Sequence, residues 1–247
     1  MSSRPVPRLF HIAETDSTNR YMRMICEMES LASGSIVLAD FQTAGRGVSG
    51  SSWESEESKN LIFSVLYYPE NVPANRPFVI AEMASLCVKY TLDKYLRDVT
   101  IKWPNDIYCS DNKISGILIE NTLFQEKITQ SIIGIGININ QTSFHSDAPN
   151  PVSMMQVAGV EFDRMAIMND FRQIFKEQSE RLNDLYFVSM HNDYLEAIYR
   201  KNKCYSYRDI YGVFEAIIRD VEPTGHLVLE RKDGKISRYA FKEVSFI

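Results

Sequence analysis

The sequence is poor in several features that would each have pointed to a function. Its 247 residues include four cysteines, Cys26, Cys87, Cys109 and Cys204, far apart and without a Cys-x-x-Cys pair. They read as reduced thiols in a cytosolic protein, not as a disulfide framework. The four histidines, His11, His145, His191 and His226, also lack metal-ligand spacing, so no structural zinc is expected. No apolar run approaches the roughly 20 residues of a membrane helix. The opening Met1-Ser2-Ser3-Arg4-Pro5 lacks the apolar stretch of a secretory signal, and a cytoplasmic location is expected. Positive charge is not in excess either: the net charge is −5, which argues against non-specific nucleic-acid binding. There is no internal repeat and no low-complexity segment. The 45% hydrophobic content is ordinary, and the length allows one large domain or two unequal ones.

The most distinctive stretch is 40–53, Asp-Phe-Gln-Thr-Ala-Gly-Arg-Gly-Val-Ser-Gly-Ser-Ser-Trp. A strand-like run, 35–39, leads into it. Glycine permits φ > 0 and close approach of backbone to a ligand. Backbone N–H groups on such a loop can cradle an anion. Arg46, between Gly45 and Gly47, adds a fixed charge and a planar fork suited to phosphate. Trp53 can stack on a flat ring or simply pack in the core. A lone Gly-Arg-Gly is more often a surface turn. With few apolar anchors between Phe41 and Trp53, the loop is expected to be mobile when empty.

A short strand is expected over Leu9–Ile12. A helix then begins at Asp16 or Ser17 and runs to about residue 30, with Tyr21, Met24, Ile25 and Met28 on one face. Ser17-Thr18-Asn19 at its start can cap the helix, bind a polar ligand group, or both. Residues 60–67 read as a buried strand and 76–96 as a core helix. Strands follow at about 99–103, 106–109, 113–122 and 129–139, with Ser110-Asp111-Asn112 as a hairpin turn. Asp163 is expected to cap a helix through about residue 186, and another covers about 190–200. After Cys204 come short strands, Val213–Val221, His226–Glu230 and Ile236–Phe241, separated by Gly- and Pro-containing turns, as in a small β-barrel. The expected domains are 1–203 and 204–247.

Five motifs, in family order over residues 17–138, resemble those of biotin protein ligases. They are Ser17-Thr18-Asn19, the Gly-Arg-Gly-x-x-Gly-x-x-Trp loop ending at Trp53, Lys102-Trp103-Pro104-Asn105-Asp106, Lys113-Ile-Ser-Gly116-Ile-Leu-Ile-Glu120, and Gly134-Ile-Gly136-Ile-Asn138. The resemblance implies an α+β fold: a mixed-sheet catalytic domain of the class II synthetase-like type, packed by helices, with an SH3-like C-terminal barrel. The ending Glu243-Val244-Ser245 is a partial match, since Lys242 stands where the family usually has glycine.

The implied chemistry activates biotin with MgATP as biotinyl-5′-AMP, then transfers the biotinyl group to a lysine of a biotin carboxyl carrier domain. A carboxylate is a poor acyl donor until it is joined to AMP, and the reaction needs charge neutralised on ATP and the reacting groups held in line. By resemblance Lys113 contacts the reacting carboxylate and α-phosphate oxygens. Arg46 clamps phosphate charge, and Lys102 suits the ATP phosphates. Asp106 orients the incoming amine or helps hold magnesium. Gln42 lies near the biotin ring system, and Asn138 lines the nucleotide side. Gly116, Gly134 and Gly136 are small so that ligand or strands can approach. Asn105, Gly45 and Gly47 complete the expected set. Each lysine has a plainer alternative: Lys113 as an exposed hairpin residue, and Lys102 with Asp106 as a structural ion pair. No protein metal cage is expected, since magnesium binds mainly through phosphates.

One departure stands out. Val48 occupies the place of the family's second loop arginine, so weaker retention of the adenylate is expected. Three rival readings remain, one of them a non-catalytic biotin-binding protein, which the presence of Arg46 and Lys113 argues against. A lipoate ligase or octanoyl transferase shares the architecture, and the latter would need a nucleophilic thiol, for which Cys109 is the candidate. A biotin-responsive repressor would need an N-terminal DNA-binding domain, for which the residues before Ser17 leave no room, so a monofunctional ligase that does not bind DNA is expected. Homodimerisation is a further implication of the resemblance.

Overall fold

The computed structural model describes residues 6–247 apart from Asn71, Asp147 and Asn183. The first five residues, read above for a secretory signal, lie outside the described residues.

The chain begins with β1 (Leu9–Thr15), α1 (Thr18–Met28), β2 (Ile36–Gln42) and β3 (Leu61–Tyr67). It continues through α2 (Phe78–Leu92), β4 (Val99–Lys102), β5 (Asp106–Cys109), β6 (Asn112–Phe124) and β7 (Lys127–Ile137). Three helices follow, α3 (Met154–Ala158), α4 (Arg164–Arg181) and α5 (Asp184–Ala197). The last part contains β8 (Tyr205–Asp209), β9 (Gly212–Val221), β10 (Leu227–Arg231), β11 (Ile236–Tyr239) and β12 (Ser245–Phe246). The first seven strands form one sheet in the order β1-β2-β3-β7-β6-β5-β4. β1 and β2 are parallel and the remaining pairs antiparallel, so the fold is α+β on a mixed sheet. β8 to β12 form a separate five-stranded antiparallel sheet, ordered β11-β10-β9-β8-β12.

Strand alternation separates the two faces of the large sheet. Ile36, Leu38, Phe63, Val65, Ile133, Ile135 and Ile137 point into a large core closed by α2, α4 and α5. The opposite face carries a smaller core in which Met22 and Ile25 of α1 meet Val37, Leu66 and Ile132. Along β7 that second face continues from Ile132 to Gly134 and Gly136. The apolar covering thus gives way to bare backbone beside α1. Register places Gly116 of β6 directly opposite Gly136.

Helix α1 differs from its expected face. Met22 and Ile25 are buried with Thr18 and Asn19, while Met24 and Met28 are exposed. The polar pair at the start of α1 is tied to the sheet and sets the rotation of the helix. Helix α5 begins six residues before the expected 190, at Asp184. Helix α3 was not expected, although Ser153 and Gln156 form a capping box there. Asp163 caps α4 as expected, accepting from the Met165 and Ala166 N–H groups.

The two sheets are docked through the Trp103 indole, which donates to Gly225 O at 2.9 Å and meets the Phe241 ring edge-on at 6.1 Å. Gly225 has φ +92°, and a Cβ there would fall 2.9 Å from a Phe78 ring carbon, so only glycine fits that close approach.

Candidate active site

A cavity of about 420 Å³ opens on the α1 face of the large sheet. This volume suits a small organic ligand. Its lining brings together Ser17, Thr18, Asn19, Gln42, Arg46 and Gly47 from one end of the sequence, and Trp53, Lys102, Asn105, Asp106 and Lys113 from the middle. Gly116, Gly134 and Gly136 form its floor.

The Ser-Thr-Asn triplet is fixed from three strands. Ser17 occupies the N-cap position of α1, but its side chain makes no capping bond. Instead the Thr18 N–H and Oγ1 both donate to Gln42 Oε1 of β2, at 2.8 and 3.1 Å. Ser64 Oγ of β3 lies 2.8 Å from Thr18 Oγ1 and 2.6 Å from Asn19 Oδ1. Asn19 Nδ2 donates to Leu118 O and Glu120 Oε2 of β6. A Cβ on Gly134 would overlap the Asn19 amide, with Cγ at 3.0 Å, so glycine is what lets this network sit on β7.

The glycine loop folds back on itself as a tight hairpin. Gly47 N–H donates to Ser51 O at 2.6 Å and Trp53 N–H to Gly45 O at 2.9 Å, around a 3-10 turn at Val48–Gly50. The Trp53 indole lies flat over the floor. A Cβ on Gly136 would come within 2.6 Å of Trp53 Cζ2 and Nε1, and one on Gly116 within 2.9 Å of Cζ3. The indole Nε1 is buried with no acceptor among the described residues.

Two of the expected cations are already paired. Lys113 Nζ is 2.7 Å from Asp106 Oδ1 and 6.0 Å from the Trp53 ring centroid. Arg46 Nη2 is 3.2 Å from Glu120 Oε1, whose other oxygen receives Arg23. Lys102 differs: it donates to Tyr108 Oη at 2.9 Å and makes no ion pair with Asp106. Burial pushes its ammonium below the ordinary lysine range against the opposing effect of Asp106, with Arg200 and Lys113 adding to the depression. Asn105 Nδ2 donates to Ile117 O, which fixes the turn between Lys102 and Asp106 to β6.

Two expected residues lie off the lining. Gly45 sits behind it against Trp53. Asn138 was expected on the nucleotide side, but its Nδ2 donates to Val152 O and its backbone holds Ile114 and Met154. It ties the end of β7 to the 152–154 segment. Cys109 is also outside the lining: its thiol faces Arg97 O, and burial raises its proton affinity, so it is poorly placed as a nucleophile.

The sequence reading missed one whole wall. Phe241, Lys242 and Val244, between β11 and β12, and Ser245 and Phe246 of β12 line the same cavity. The available signal was the partial match at residues 243–245, although nothing in the sequence indicated where that segment docks. Glu120, quoted within its motif but given no role, is the shared counter-ion of Arg23 and Arg46.

Comparison with known proteins places these residues in a family. Residues 12–138 match the model of the biotin/lipoate A/B protein ligase family. The chain is 36% identical over 154 residues to the bifunctional ligase/repressor BirA of Escherichia coli, covering 60% of this chain and 46% of that protein. It thus spans about half the length of BirA. It is 26% identical over 235 residues to a biotin–[acetyl-CoA-carboxylase] ligase of Paracoccus denitrificans, covering 91% of this chain and 95% of that one. Among solved structures, biotin protein ligase from Aquifex aeolicus in complex with biotin and ATP superposes with a TM-score of 0.77 at 23% identity, covering 98% and 99% of the two chains. That likeness establishes the fold. With the family model covering residues 12–138, the chain belongs to the biotin/lipoate A/B protein ligase family.

Proposed function

We propose that this protein is an ATP-dependent biotin ligase, which forms biotinyl-5′-AMP and passes the biotinyl group to one lysine of a biotin carboxyl carrier domain. One observation carries the reading: a single cavity gathers the Gly-Arg-Gly loop, the Ser-Thr-Asn network, the Lys113–Asp106 pair and Lys102 over a glycine floor. In the first half-reaction a biotin carboxylate oxygen attacks the α-phosphorus of ATP and pyrophosphate leaves. Lys113 neutralises the oxygens on which charge builds, while Arg46 and Lys102 hold the phosphates. Gln42 and the Ser-Thr-Asn network face the biotin ring system, and Trp53 covers the nucleotide. In the second half-reaction the acceptor amine attacks the anhydride carbonyl and AMP leaves, with Asp106 orienting the amine. Magnesium enters on the phosphates of ATP as part of that substrate. Among the described residues no three His, Cys, Asp or Glu side chains converge into a cage for it.

Several finer readings belong to the same proposal. The five-stranded C-terminal sheet is read as an SH3-like barrel beginning at residue 204, supported by its all-antiparallel run of short strands. A cytoplasmic site of action and a homodimer are carried with it. No described helix is long and apolar enough to cross a membrane.

The test is ATP–pyrophosphate exchange with biotin, lipoate and octanoate offered separately. Exchange with biotin alone is the expected result. Exchange with lipoate alone would move the chain to the lipoate branch of its family, and silence with all three from folded protein would refute carboxylate activation.

A further inference from the structure

Lys102 is held in an unusual way for a cation beside a carboxylate-bearing site. Its Nζ lies 4.6 Å from the Tyr108 ring centroid, 5.3 Å from that of Phe246 and 6.0 Å from that of Tyr199. All three are within the range in which an aromatic face attracts an ammonium. Arg46 and Lys113 are each paired with a carboxylate, whereas Lys102 makes no ion pair among the described residues. A cation held by π faces and one phenol has no carboxylate to release before it meets an incoming anion. A cation held by a carboxylate must first exchange partners.

Phe246 differs from the other two rings. It comes from β12 of the second sheet, and of the three it alone lines the cavity. Its position is fixed from several sides. Phe246 pairs with Tyr207 of β8, and the Tyr207 ring meets it edge-on at 5.1 Å. Ile247 N–H donates to Ser206 O, and Arg200 donates to Ile247 O at 2.7 Å.

We propose that Phe246 is a positioning residue for Lys102: its ring holds the ammonium toward the cavity and so tunes binding of the ATP phosphates. This rests on the reading of Lys102 as a phosphate ligand. It gives the C-terminal sheet a specific role in nucleotide binding, distinct from closing off the cavity.

The experiment compares Phe246→Leu, which keeps apolar volume but removes the π face, with a series of fluorinated phenylalanines at 246, which keep the shape and weaken the face. KM for ATP, KM for biotin, kcat and melting temperature are measured for each. The expected result is a rise in KM for ATP of about threefold to tenfold in Phe246→Leu, with KM for biotin and melting temperature little changed. KM for ATP should also climb stepwise with fluorination, a trend that a merely structural ring would not produce. A KM for ATP that does not respond to fluorination overturns the proposal even if Phe246→Leu fails to fold. Lys102→Gln separates the two levels of the argument. If it raises KM for ATP while the fluorinated series is flat, only the role of Phe246 falls. If it leaves KM for ATP unchanged, the phosphate role of Lys102 falls, and the inference with it. In the Lys102→Gln background the ring substitutions should add nothing.

Discussion

Replacing Gly136 by alanine tests whether the glycine floor exists to seat an aromatic ring. The added Cβ would lie within 2.6 Å of three Trp53 indole atoms, where real contacts begin above 3.0 Å. The ladder cannot yield easily, because Gly136 is paired on both sides, with Ile62 of β3 and Gly116 of β6. The indole, on a loop, is the part that moves. Overpacking of this kind costs about 1–3 kcal/mol, which for a chain of this size corresponds to a fall of about 2–12 °C in melting temperature. If the same cost falls on the nucleotide that Trp53 covers, ATP Kd rises about 5- to 150-fold. Gly116→Ala should be milder, since its nearest indole atom is at 2.9 Å. The assay is tryptophan emission, with Trp53→Phe subtracting the contribution of Trp103, followed by thermal melting and ATP titration. A red shift assigned to Trp53, with weakened ATP binding, is expected. Wild-type emission and melting temperature in Gly136→Ala would refute the close contact between floor and ring.

Three further outcomes follow from the site and its surroundings. Lys113→Ala should reduce the biotin-dependent exchange rate by about 10²–10³-fold at unchanged melting temperature; an unimpaired variant would return Lys113 to the status of an exposed hairpin lysine. Val48→Arg should lengthen the half-life of the bound adenylate, and equal half-lives in the two proteins would dispose of the idea that Val48 weakens retention. Stability should fall with rising pH through a cluster linking α2, α5 and β9, in which His191 lies 2.7 Å from Glu82 and 2.9 Å from Asp220. The hydrogen bond to Glu82 raises the proton affinity of His191 despite burial, and burial raises that of Glu82. Both groups therefore stabilise the fold below their unfolded values and lose that contribution as pH climbs through the raised ones. The melting temperature should decline as pH rises from below the ordinary carboxylate range to above the ordinary histidine value, with a shallower slope in Glu82→Gln; a flat wild-type profile would contradict the assignment.

What the sequence made legible was local. The strands of the large sheet, the cap at Asp163 and the Ser110-Asp111 turn were all written in short patterns. So were most of the site residues, because motif chemistry such as Gly-Arg-Gly or Lys-Trp-Pro-Asn-Asp is contiguous in the chain. The remainder depended on register and docking. That Gly136 serves Trp53, and Gly134 serves Asn19, follows from which strands pair and where α1 lies, and spacing alone does not show it. The face of α1 was misread because Met24 and Met28 look apolar, while buried hydrogen bonds at Thr18 and Asn19 fix the rotation. Strands β8 and β12 went unnoticed because one is short and irregular in polarity and the other has two residues. With them went the aromatic contact to Lys102.

The cavity wall built from residues 241–246 also bears on how the protein is made. Its other surfaces begin with Ser17, so the pocket joins segments lying near opposite ends of the described chain. During vectorial synthesis the seven-stranded sheet can assemble once β7 has left the ribosome, yet at that stage only an open trough exists. Closure waits for the late strands, and such distant pairings form slowly compared with local ones. A polypeptide stalled before β12 would therefore present the charged loop and the glycine floor without the ring that steadies Lys102.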